Sequence, residues 1–127
     1  MKRLTREWIE KAEGDFHLLE REIRARKNPN YDAVCFHAEQ CAEKYLKGRL
    51  IEASFAFPKT HDLVLLLDLT LPVEPLWEIS RDDLSFLSGF GVEFRYPGES
   101  SDIEMAKKAQ KRCRAFRALA RETMNLT

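Results

Sequence analysis

The segment 31–53 puts apolar side chains on more than one side of any helix that it forms. Val34, Ala38, Cys41, Ala42 and Tyr45 recur at helical spacing and share a face, while Phe36, Leu50 and Ile51 lie well away from it. Such a helix cannot rest on a surface with one side in water. It is either the centre of a bundle or shared with a partner subunit. The first face is rich in small residues, which lets a neighbouring helix approach closely. Asn30 stands where a cap is wanted. The rest of the chain must supply the elements that cover this one.

It does so with helical periodicity. Over 5–27, Trp8, Ala12, Phe16, Leu19 and Ile23 recur at spacings of four, four, three and four, with Thr5 as the expected cap and Asn28-Pro29-Asn30 as the stop. Asp15 sits nearer to that apolar stripe than a solvated carboxylate needs to be. Thr60 is placed to cap a short helix over 61–68. Its run Leu63-Val64-Leu65-Leu66-Leu67 predicts burial all round, and Pro72 and Pro75 break it. Ser80-Arg81-Asp82-Asp83 resembles a capping box with Asp in place of Glu, opening a fourth helix through Leu84, Leu87 and Phe90. Gly89 and Gly91 weaken that helix, and Arg95-Tyr96-Pro97-Gly98 ends it. Ser101-Asp102-Ile103-Glu104 is a capping box for a last helix over 102–124. That helix buries Met105, Ala109, Cys113, Phe116 and Ala120, and projects Lys107, Lys111, Arg114, Arg117 and Arg121. No stretch alternates strongly enough for a strand. The expected fold is one all-α domain over 1–127, an up-and-down bundle of four to five helices.

The 127 residues suit a single core, and no apolar run approaches the roughly 20 residues of a membrane span. The first residues lack the apolar stretch of a signal peptide. Three cysteines, an odd number without a C-x-x-C pair, read as free buried thiols. The expected location is the cytoplasm. Twenty-one basic residues balance 21 acidic ones, which argues against a generic polyanion binder. The balance conceals a separation: residues 28–104 hold six basic and 14 acidic residues, whereas 105–127 hold seven and one. The basic end is expected either to pair with acidic neighbours in the bundle or to face RNA.

Candidate chemistry gathers on the second helix. His37, Gln40, Lys44 and Lys47 share a face and carry donors suited to a phosphate. The alternative is structural: lysine stems lie over apolar neighbours while His37 and Gln40 satisfy a buried helix contact. Glu43, close by, is able to pair with a lysine and withhold it from a ligand. His61 is a ligand contact, a proton-transfer group or a histidine at a core edge. Arg95 and Tyr96 are a possible ligand pair or merely a helix stop. His37 and Cys41, with Cys35 or His61, make a weak zinc set, and no metal is expected. Phosphate-loop, dinucleotide and nucleophile-elbow signatures are missing, and no cofactor is expected.

Four runs in order resemble one family. Ala12-Glu13-Gly14-Asp15-Phe16, then His37-Ala38-Glu39-Gln40-Cys41-Ala42-Glu43-Lys44-Tyr45-Leu46-Lys47, Pro58-Lys59-Thr60-His61-Asp62-Leu63 and Arg95-Tyr96-Pro97 are similar to motifs of the HEPN family, the higher eukaryotes and prokaryotes nucleotide-binding domain. The resemblance implies a dimerising helical bundle that binds a nucleotide, often beside a small nucleotidyltransferase, in some cases as a toxin–antitoxin pair. Dimerisation would give the two-sided helix a second burial surface. Carried over by position, the site comprises His37, Gln40, Lys44, Lys47, His61, Arg95 and Tyr96, with Asp15 and Glu43 in support.

One element is missing. The resemblance also implies that nuclease members carry an Arg and a His with four to six residues between them, and from Arg95 that window holds Ser100, Ser101 and Asp102. Without an imidazole there, no general base is evident for a ribose 2′-OH. The leading expectation is a non-catalytic dimeric module binding a nucleotide or other phosphate ligand. The alternatives are an RNA-cleaving toxin with a rearranged site and a purely structural interaction subunit.

Overall fold

The computed structural model describes residues 1–90 and 97–127. Among them are five α-helices and no strand: α1 (Arg3–Ile23), α2 (Tyr31–Glu52), α3 (Leu63–Thr70), α4 (Arg81–Leu87) and α5 (Ile103–Thr123), with a 3-10 turn at Pro75–Ser80 leading into α4. The all-helical bundle expected from the periodicities is present.

α2 is the centre. Val34, Cys35, Ala38, Cys41, Ala42, Tyr45, Leu46 and Leu50 are all buried, and α1, α3 and α5 pack around it. On its other apolar side Leu50 is buried, whereas Phe36 and Ile51 are half-buried. The small side chains permit a tight seat. A methyl group added at Gly48 would stand 3.2 Å from Trp8 Cβ and 3.3 Å from Ile9 Cδ1. α1 runs antiparallel to α2, since Thr5 Oγ1 donates to Glu52 at 2.9 Å while Asn30 N donates to Glu22 at 2.7 Å at the other end. α5 runs antiparallel to α1, with Arg114 on Glu20 and Arg117 on Glu13. Trp77, fully buried, meets Phe116 edge to face at 5.2 Å and donates its indole N–H to Thr123 Oγ1.

Several helix ends differ from expectation, each for a local reason. Thr5 lies inside α1, fully buried, with its hydroxyl spent on Glu52, so it caps nothing. α1 stops at Ile23, and Asn28 turns the chain at φ +46°. Asn30 caps α2 as expected, accepting from Ala33 N. α3 is capped by Asp62, whose carboxylate accepts from Val64 N and Leu65 N, while Thr60 Oγ1 accepts from Asp62 N. That helix is also buried on one side only: Leu63, Leu66 and Leu67 face in and Leu65 faces out. Ser80 makes no cap, because the 3-10 turn already brings it in at φ −91°, ψ 1° rather than in the extended form a cap needs. α4 ends at Leu87, and Gly89 takes φ +98°. Asp102, not Ser101, caps α5 by accepting from Met105 N. The expected stop at Arg95-Tyr96 and the position of Gly91 fall outside the described residues.

Candidate functional site

Two carboxylates organise the polar face where α1, α2 and the start of α3 meet, and each is bridged in the same way. Asp15, on α1, accepts from His37 Nδ1 at 2.7 Å through one oxygen and from Lys44 Nζ at 2.5 Å through the other. Glu43, on α2, accepts from His61 Nδ1 at 2.8 Å and from Lys47 Nζ at 3.1 Å. His37 and Lys44 are two turns apart on α2, so one acid from the facing helix reaches both. Lys47 follows Glu43 by one turn, and its ammonium stands 5.9 Å from the ring centres of both Trp8 and Phe57.

Burial makes these bridges consequential. Asp15, Glu43 and Lys47 are buried, whereas the His61 side chain is 77% exposed and those of His37 and Lys44 are 22% exposed. Burial by itself would raise the Asp15 carboxyl. The His37 and Lys44 hydrogen bonds and the lysine's charge outweigh it, holding Asp15 below the usual range. An ionised carboxylate only accepts, so the bridging Nδ1 of each imidazole carries the proton. Nε2 then points away, as an acceptor when the ring is neutral and a donor when it is charged. Gln40 lies between the bridges and donates to Glu39 at 3.2 Å. A cleft of about 560 Å³ opens beside the Asp15–Lys44 bridge, with Lys11, Gly14, Leu18 and the acids Glu7 and Glu10 around it.

The expected row on α2 is thus assembled with its two supporting acids and with His61, while Arg95 and Tyr96 lie outside the described residues. The reading in which Glu43 withholds a lysine describes Lys47, and Asp15 does the same to Lys44. Among the described residues, no group of three or more His, Cys, Asp or Glu side chains is arranged to hold a metal. No described helix is long and apolar enough to cross a membrane. All three cysteines are free and buried, and the Cys41 thiol is pushed up by its hydrogen bond with Cys113 and by burial. Ser101 and Asp102, in the window after Arg95, serve the start of α5: Ser101 N donates to Asp32 at 2.6 Å, and Asp102 is the cap.

One cluster escaped the sequence reading. Glu13 takes both Arg117 nitrogens, at 2.6 and 2.8 Å, and the Tyr45 hydroxyl at 2.6 Å, and Arg121 donates to that hydroxyl at 2.9 Å. It ties α1, α2 and α5 together behind the candidate site. The available signal was Tyr45 itself, a phenol on an apolar face that needs a partner.

A sequence model of the HEPN domain matches residues 5–123, nearly the whole chain. No curated protein matches, and no solved structure does.

Proposed function

The chain belongs to the HEPN domain family, and from that premise we propose that it is a non-catalytic, dimeric cytoplasmic module that binds a nucleotide or other phosphate ligand on the α1–α2 face and works beside a small nucleotidyltransferase. The observation that carries this reading is the pair of carboxylate bridges, each holding one lysine and one outward imidazole. With each carboxylate offset by a lysine, the four bridge residues Asp15, Lys44, Glu43 and Lys47 sum to no net charge. A bare anion gains less there than a phosphate ester whose hydroxyl or amino groups reach His37 and His61 Nε2. A nucleotide has both features, and the cleft beside Lys44 is of ligand size. Gln40 adds a polar contact, and Arg95 and Tyr96 complete the proposed set.

Calorimetric titration with ATP, GMP and inorganic phosphate tests the reading. The informative variants are His61→Ala and Gln40→Ala, which leave both buried acid–lysine pairs intact. Wild type is expected to bind a nucleotide more tightly than phosphate, with affinity reduced several-fold in each variant. No heat with wild type, or binding unchanged in both variants, contradicts it. A second reading is favoured by the fact that every lysine and histidine of the row already has a carboxylate partner. In it the row only joins the helices of an interaction subunit, which predicts no ligand affinity and a bound protein partner.

A further inference from the structure

Apart from that face, a cleft of about 620 Å³ lies between α4 and α5, lined among others by Ile79, Asp82, Phe86, Lys108, Lys111 and Arg112. Two features there have no use in the fold. Leu76 and Ile79 are 65% and 77% exposed, the most exposed large apolar side chains among the described residues. They are three apart in the 3-10 turn Pro75–Ser80, where that spacing puts them on the same side. The second feature is a surplus of charge. All four arginines of α5 pair with carboxylates, whereas Lys107, Lys108 and Lys111 have no carboxylate within ion-pair distance among the described residues, and of these Lys108 and Lys111 line the cleft. Arg112 is held in place over the Phe86 ring at 4.6 Å and on Asp83 at 3.1 Å, so this wall of the cleft is set before anything binds.

We propose that this cleft is a docking groove for an acidic amphipathic helix of a partner protein. Apolar side chains of that helix cover Leu76, Ile79 and Phe86, and its carboxylates meet Lys108 and Lys111. Charge complementarity selects this occupant. RNA, whose contacts here would be made by its phosphates, would leave the apolar pair without a partner. A second copy would set Lys108 and Lys111 against the same two lysines, with Asp82 the one cleft carboxylate without an ion pair among the described residues. The groove is separate from the α1–α2 face and its occupancy does not depend on that site.

The test is fluorescence anisotropy with a labelled synthetic helix carrying leucines at i, i+3 and i+4 spacing and glutamates elsewhere. Saturable binding to wild type is expected, weakened roughly tenfold or more by Lys108→Glu with Lys111→Glu, and likewise by Leu76→Ser with Ile79→Ser. Gln40→Ala is expected to bind the helix normally, which separates this groove from the ligand face. All of these positions except the control are on the exposed rim, and circular dichroism checks that each variant is folded. The proposal is overturned if wild type does not bind the helix, or if both double variants bind it as wild type does. It is overturned in favour of RNA if only a uridine oligonucleotide binds and the lysine variant loses it. It is overturned in favour of a second copy if sedimentation shows self-association that Leu76→Ser with Ile79→Ser abolishes, without binding of the helix.

Discussion

At Glu43 a carboxylate is almost fully enclosed, with Lys47 on one oxygen and the exposed His61 on the other. Removing one partner of a buried pair leaves the other charge uncompensated, whereas removing both often costs little. Lys47→Met is therefore expected to lower unfolding stability by about 3 kcal/mol, and Glu43→Gln with Lys47→Met to recover most of that loss. Urea unfolding of the single and double variants measures it. Three other acids predict a pH dependence. Glu13, Asp15 and Glu20 are each opposed by burial, yet hydrogen bonds and nearby cations hold them below the ordinary carboxylate range. The cations are Arg117 and Arg121 for Glu13, Lys44 and His37 for Asp15, and Arg114 and Arg24 for Glu20. The unfolded chain then binds protons more readily than the folded one. Their contribution is complete above the unfolded values and is lost as pH falls through the folded ones. Melting temperature is expected to decline from about pH 4 downward, and Asp15→Asn to make that decline shallower.

Between elements, two glycines predict opposite outcomes. Gly14 is exposed on α1 with nothing within 4 Å of an added Cβ, so Gly14→Ala is expected to stabilise by about 0.5–1 kcal/mol. Gly48 sits where α2 meets α1, and its nearest neighbour, Trp8 Cβ, cannot swing aside as a side-chain end would. Gly48→Val is expected to cost about 2–3 kcal/mol by forcing the helices apart. Thermal melts of both variants check the pair. The helices themselves were legible because their apolar residues recur with a helical period, and α2 stood out as central because its apolar residues do not keep to one side. Four caps were less legible. Thr5, Thr60, Ser80 and Ser101 have the right side chains, but capping also requires a backbone position that only the packed chain decides. Asp62 and Asp102 took two of those positions, and Glu52 took the Thr5 hydroxyl. On the α2 row, spacing placed His37, Gln40, Lys44 and Lys47 together. It did not place Asp15 between His37 and Lys44, because that contact comes from a residue more than twenty positions away.

For the whole molecule, the separated charge has two fates. The arginines of α5 are absorbed by Glu13 and Glu20 of α1 and by Asp83, so the basic end is largely matched by α1 rather than by the strongly acidic middle of the chain. Its lysines have no ion pair among the described residues, and Lys108 and Lys111 line a cleft that shares no residue with the one beside the carboxylate bridges. The net charge of zero therefore conceals a locally basic, partly apolar surface at α5, apart from the balanced carboxylate–lysine pairs of the α1–α2 face. This arrangement is what makes the location of binding informative. The most direct measurement is amide chemical-shift mapping by NMR during titration with ATP. The account predicts saturable shifts concentrated around Asp15, His37, Gln40, Lys44 and His61. An absence of shifts, or shifts confined to the cleft around Phe86 and Lys111, would contradict it.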